Sequence, residues 1–259
     1  MIMFKRLFPY KDLLYVFIWR QFGVRYRNSI LGIFWAIVQP LSMMVLITFI
    51  FTYVINVKVG DYPKPVFFYS ALLPWTFFQS SLSSAISSLS GSQGLITKIY
   101  FPREVLPISG ICVAFLDLLI ASSFYIILLF YYNVSLNLTI LWIIPIFILL
   151  FLFTLSVSLI FSSLNVYYKD VGLLTTFLLR LLFFGSPIIY SIDSISLKLK
   201  LLLFLNPLTF IIENTRRVLL EGRNVVIWQF VLAMVLVIIL FHFSYNLFIK
   251  IERNFADAI

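Results

Sequence analysis

From Thr139 to Tyr168 the sequence contains no Asp, Glu, Lys or Arg. A helix over this run, rising 1.5 Å per residue, is longer than the roughly 30 Å hydrocarbon core of a bilayer. In water it would have no polar face to turn outward. In lipid it needs none, because a helix satisfies its own backbone groups. The rest of the chain agrees. Its 259 residues are 62% apolar and 11% charged, less than half the roughly 25% charge typical of soluble domains. The reading is an all-α integral membrane protein forming a single transmembrane domain over residues 1–259.

Six runs have the length and apolarity of spans: roughly 31–55, 66–89, 107–131, 140–164, 171–190 and 226–249. The second is serine-rich in its latter half. Ser80, Ser84, Ser88 and Ser92 recur every four residues, a small-xxx-small face suited to close helix packing. Residues 4–28 mix Lys5, Arg6, Lys11, Arg20, Arg25 and Arg27 with large apolar side chains. Such a segment is too charged to cross and too apolar to float free, which predicts an amphipathic helix in the interface. No secretory leader is expected, and the first span is read as a permanent anchor.

The net charge of +9 comes from 19 Lys/Arg against 10 Asp/Glu. Most cations flank apolar runs, where anionic headgroups favour them, so the excess reads as membrane topology and not as nucleic-acid binding. Residues 1–30 carry six cations; Lys98, Arg103, Lys169, Lys250 and Arg253 join them if the N-terminus is inside. The opposite side then holds Lys58, Lys64, Lys198, Lys200, Arg216, Arg217 and Arg223. The bias predicts both termini in the cytoplasm. Residues 191–224 form two short amphipathic stretches broken at Asn206-Pro207, predicted as short re-entrant helices on the outer side.

Catalytic signatures are missing. The sequence has one histidine, His242, and one cysteine, Cys112, and no P-loop or G-x-S-x-G pattern. No metal site is predicted. A membrane-embedded glycosyl- or phosphotransferase would need acids gathered at the inner face, whereas Asp12, Glu104, Asp170, Glu252 and Asp257 are scattered along the chain. Ionisable residues inside spans carry more information, because charge in lipid is costly. Asp117 and Arg180 reach similar depth in the third and fifth runs and are expected to pair, within or between subunits. Asp117 with His242 would be the machinery of the alternative, a proton-coupled carrier.

Aromatic residues make up 19% of the chain. Some share a helical face with polar residues. Trp35, Gln39, Ser42, Phe49 and Tyr53 do so in the first run, Tyr125 and Tyr132 with Asp117 in the third, and Phe183 and Tyr190 with Thr176 and Arg180 in the fifth. Rings interleaved with hydrogen-bonding groups suit sugars, whose C–H faces stack while their hydroxyls bond. These residues are the expected lining of a conduit.

Several strings, in order and nearly end to end, resemble the membrane subunits of type-2 ABC exporters for polysaccharides, the O-antigen, capsule and teichoic acid permeases. They are RYRNSILGIFWAIVQPL (Arg25 to Leu41), LITKIYFPREVLPIS (Leu95 to Ser109), NVYYKDVG (Asn165 to Gly172), SPIIYS (Ser186 to Ser191), NPLTFIIENTRRVLLEG (Asn206 to Gly222) and the FADAI terminus. The resemblance implies a homodimer in the bacterial inner membrane, each copy engaging a cytoplasmic ATP-binding subunit. ATP and Mg2+ then belong to that partner, and no cofactor is expected on this chain. It further implies that residues 95–104 form the coupling helix, with Leu95, Ile96, Lys98, Tyr100, Phe101, Arg103 and Glu104 in its contact, and that 191–224 is an outer gate. The implied substrate is a polysaccharide, such as lipid-linked O-antigen; small molecules or lipids are the alternative cargo.

Overall fold

The computed structural model describes residues 2–27, 29–55, 62–135, 137–192, 195–252 and 255. Lys58, Arg253, Asp257 and most of the FADAI terminus lie outside the described residues. Among those described, helices are the only regular secondary structure.

The N-terminal segment is two helices where one was expected. Helix α1 (Ile2–Leu7) and helix α2 (Lys11–Tyr26) are separated by a 3-10 turn at Phe8–Tyr10. Pro9 accounts for the break, since it lacks an N–H and crowds the preceding turn. The first apolar run follows as a 3-10 turn at Gly32–Phe34, helix α3 (Trp35–Phe49) and a π-helical turn at Ile50–Val54. The chain continues through α4 (Lys64–Ser90), the short α5 (Gln93–Ile96) and α6 (Val105–Tyr131). A 3-10 turn at Leu138–Trp142 leads into α7 (Ile143–Tyr167), then α8 (Asp170–Phe184), α9 (Leu197–Leu203), α10 (Pro207–Leu219) and α11 (Ile227–Glu252).

Helix α4 is the axis of the bundle. It packs against α3, α6, α7, α8 and α10, while α11 rests on α7 and α2 on α6. Its residues Val66 to Trp75 are all buried. Small residues let α6 approach closely: a Cβ at Gly110 would collide with the Ser84 hydroxyl. The small face read from the serine repeat is thus in use at Ser84.

Among the described residues, four helical stretches are long and apolar enough to cross a membrane: Gly32–Val54, Val105–Tyr131, Leu138–Tyr167 and Ile227–Glu252. The other two expected spans fall short for different reasons. Helix α4 has 27 residues but is serine-rich; enclosed by other helices, it has little need of apolar surface for lipid. Helix α8 has only 15 residues, about 22 Å at the helical rise, and turns begin at Gly185 where the expected span ran on to Tyr190.

The break at Asn206-Pro207 falls where expected. The Asn206 side chain accepts from the Leu208 N–H at 3.0 Å, and Pro207 occupies the first turn, where no N–H is missed. Helix α10 packs against α4, α7 and α11 and is buried along most of its length. An exposed connector would not be.

Candidate transport site

A groove of about 600 Å³ opens between α3, α4 and α8. Gln39 and Ser42 line it from α3, Thr76, Gln79 and Ser83 from α4, and Thr176 and Arg180 from α8. Three rings, Trp75, Phe183 and Phe184, stand among these polar groups; Trp75 and Phe183 meet edge to face at 5.5 Å. The groove therefore offers both hydrogen-bonding groups and aromatic surface. Gln39, Ser42, Phe183, Thr176 and Arg180, read from periodicity, are brought together here. The α4 contribution was missed, because its serines and threonine read as packing and its tryptophan sits in a buried run.

Other expected lining residues lie elsewhere. Tyr125 is a correction: it is buried, stacked on Tyr69 at 5.5 Å, and donates to the Val66 carbonyl at 3.2 Å. A tyrosine whose hydroxyl meets a neighbouring carbonyl can sit in the core, so polar periodicity alone does not mark a pore. Tyr132 packs against Tyr131, Phe49 against Tyr53, and Tyr190 donates to the Phe184 carbonyl, all outside the groove's lining.

Trp35 lies outside the groove and borders a second cavity of about 360 Å³, with Gln39, Thr76, Ser80, Arg25 and Asp117. Here the expected pairing of Asp117 is corrected within the chain. Asp117 forms an ion pair with Arg25 and accepts from the Tyr26 hydroxyl at 2.6 Å. Arg180 lines the neighbouring groove instead. The depth comparison considered only spans and left out α2, whose last turn reaches Asp117 about 18 Å along α6 from Val105. Burial, and then the bond to Asp117, raise the pKa of Tyr26, so its hydroxyl keeps its proton and remains a donor. Gln21, one turn earlier, donates to the Ser109 hydroxyl at 2.7 Å. Helix α2 is therefore pinned to α6 by polar contacts while Tyr15, Val16, Trp19 and Val24 remain exposed.

The residues expected to couple to an ATPase divide into two sets. Lys98 and Tyr100 are exposed, as is Ile99 between them, with Tyr100 at 85%. Ile96, Phe101 and Glu104 are buried, Phe101 stacking on Phe17 of α2 at 6.0 Å. Leu95 is partly buried, and α5 covers only four residues of the segment. Behind it sits a network absent from the linear reading. Arg6 pairs with Glu252 at 2.7 Å and approaches Glu104 at 3.5 Å; the Arg103 amide donates to Glu252 at 2.9 Å, and the Arg103 side chain to the Glu252 carbonyl. Two of the acids that appeared scattered are thus adjacent, but arginines hold them, and among the described residues no acid, histidine or cysteine cluster could hold a metal ion. The network puts α1, the 93–104 segment and the end of α11 on one side of the bundle. Burial, and then the charge of Glu252, raise the pKa of Glu104 above the usual carboxylate range.

On the opposite side Arg216 of α10 is the counterpart. It is buried, donates to the carbonyls of Pro187 at 2.5 Å, Ile188 at 2.8 Å and Tyr190 at 3.2 Å, and pairs with Glu213 at 3.2 Å. Its guanidinium also lies 3.7 Å from the centre of the Phe67 ring. The turn after α8 is thereby fastened to α10. His242 lies on an exposed face of α11, bonded to Asn246 at 2.9 Å; it and Asp117 have separate partners.

A bundle of long apolar helices, with a groove of polar groups and rings beside its axis and a partly exposed two-arginine junction at one end, is the build of a multi-pass membrane protein. Residues 12–220 match the ABC-2 type transporter family, and the chain belongs to that family, as a membrane subunit and not an enzyme. It is 30% identical over 250 residues to the O-antigen export system permease protein RfbA of Klebsiella pneumoniae, covering 96% of this chain and 95% of that protein. Identity to the RfbA of Myxococcus xanthus is 28% over 222 residues, 85% of this chain and 84% of that one. The polysialic acid transport protein KpsM of Escherichia coli is 27% identical over 213 residues, 78% and 79% of the two chains.

Proposed function

We propose that this chain is the membrane half of an ATP-driven exporter that carries a polysaccharide, such as a lipid-linked O-antigen, across the bacterial inner membrane. The observation that carries the reading is the α3–α4–α8 groove, where amides, hydroxyls and rings alternate as a sugar chain requires. The O-antigen export permeases among the relatives favour the same cargo over small molecules or lipids.

In this reading α4 and α8 cross the membrane with the four apolar helices, giving six spans with both termini in the cytoplasm. Helices α9 and α10 dip into the outer leaflet as a gate. A second copy closes the groove: α3 and α8 flank it with exposed apolar side chains, among them Leu46, Phe49, Phe177 and Leu181, a surface that suits another copy. Lys98, Ile99 and Tyr100 meet a cytoplasmic ATP-binding subunit, which holds ATP and Mg2+. Motion at that contact passes to α1 and α11 through Arg6, Arg103 and Glu252. The groove residues orient and desolvate sugar, while the partner's ATP cycle biases two conformations of the bundle.

The test is reconstitution in liposomes with a P-loop ATPase encoded beside this chain. Glycan should reach the far side only when both chains and ATP are present. Transport by this chain alone, driven by a proton gradient, would instead establish a carrier.

A further inference from the structure

A cavity larger than the candidate transport groove lies apart from it. It measures about 860 Å³ and runs between α6 and α7, from Leu7 and Lys11 at the α1–α2 corner to Leu129, Ile140 and Leu219. On α6 its wall is a regular stripe: Ile108, Cys112, Phe115, Leu119, Ser122 and Ile126 alternate spacings of four and three. From Ile108 to Leu129 the stripe is about 32 Å long, close to the hydrocarbon thickness of a bilayer. Helix α7 faces it with Ile144, Ile148, Phe151 and Leu155. Such stripes ordinarily close on each other or take up a third helix. Neither holds here. The floor is narrow, because Phe115 and Phe151 meet edge to face at 5.6 Å with Phe77 behind them. A helix about 10 Å across does not fit over such a floor without splaying the pair; a hydrocarbon chain does.

We propose that this cavity is a specific site for an acidic glycerophospholipid of the leaflet on the α1–α2 side. One acyl chain lies along the α6 stripe, and the phosphate meets the Lys11 ammonium. Lys11 lines the mouth of the groove and is exposed, with its Nζ 5.7 Å from the Phe8 ring. Arg6, on α1 at this corner, is committed to Glu104 and Glu252. Asp12 is not part of the lining. The groove is otherwise almost wholly apolar, so chain length and a single headgroup charge define what it selects. A lipid seated there joins α1 and α2, which carry Arg6 and Arg25, to α7 and to α6, which carries Asp117. The proposal does not depend on what the transporter carries.

The experiment is native mass spectrometry of the full chain after mild delipidation, titrated with phosphatidylglycerol, phosphatidylcholine or a polyprenyl phosphate. One phosphatidylglycerol per chain should bind about fivefold more tightly than phosphatidylcholine, the worth of one lysine at an anionic surface. Lys11→Gln should abolish that preference yet still bind lipid. Ile148→Trp, at a residue now 56% exposed, should fill the groove and lose the bound lipid, with unchanged thermal unfolding in detergent as evidence of folding. If Ile148→Trp unfolds early, Leu119→Trp on the facing wall replaces it. Equal affinity for the two phospholipids, or undiminished binding in a folded groove-filling variant, would overturn the proposal. Preferential binding of the polyprenyl phosphate would overturn it in favour of an isoprenoid site.

Discussion

Arg216 on the α10 side and Arg6 on the α1 side each join segments far apart in sequence, yet their partners differ in kind. Arg216 is fully enclosed, and three of its partners are backbone carbonyls, with an aromatic ring beneath. Carbonyls and rings do not titrate. Arg6 is about a third exposed and faces two carboxylates that compete for it. The α10 junction rests mostly on groups that do not titrate, with the Glu213 carboxylate beside them. The α1 junction, which carries the exposed segment proposed to meet the ATPase, is built from groups that can change charge or exchange partners.

The largest effect is expected where removal leaves most groups unsatisfied. Arg216→Met strands the three carbonyls and Glu213, and should lower stability by about 3–5 kcal/mol, the usual result of breaking a buried charged pair. Arg216→Lys should recover less than half, since an ammonium lacks the planar fork. Thermal unfolding in detergent measures both. A loss under about 1 kcal/mol would remove the distinction between the junctions.

Glu252→Gln should cost less, about 1–3 kcal/mol, because Arg6 is partly hydrated and can turn to Glu104. The pH dependence is the sharper test. Glu104's pKa is raised by burial and then by Glu252, so the folded chain holds that proton more tightly than the unfolded chain does. The stability it confers is complete below the ordinary carboxylate range and is lost as pH rises through the raised value. Unfolding temperature should therefore fall from mildly acidic to alkaline pH, and Glu104→Gln should flatten the slope. The smallest effect on stability belongs to Tyr100→Ala, at an exposed ring: within about 0.5 kcal/mol, with loss of ATPase binding in a pull-down as its signature.

Much of this architecture was legible in the sequence because lipid imposes a strong selection. Runs without charge became helices, and Asn206-Pro207 ended one helix and began another for reasons local to those residues. What escaped was long-range. Asp117 finds Arg25 across 92 positions of sequence, on a helix read as lying flat in the interface. Glu104 and Glu252 looked scattered because nothing linear brings α6 beside the end of α11. Helix α4 was read by its serines alone, and its place at the axis turned Thr76, Gln79 and Ser83 into a polar wall. Tyr125 failed in the opposite direction, since a face with tyrosine and aspartate can be a packed seam as readily as a pore.

The central claim, that sugar passes through the α3–α4–α8 groove, is most directly tested by obstructing it. Gln79→Trp and Thr176→Trp should abolish glycan export in the reconstituted two-chain system, while the chain still assembles with the ATPase and hydrolyses ATP. Export at wild-type rate in both variants, with the ring in place, would contradict the assignment and put the path elsewhere.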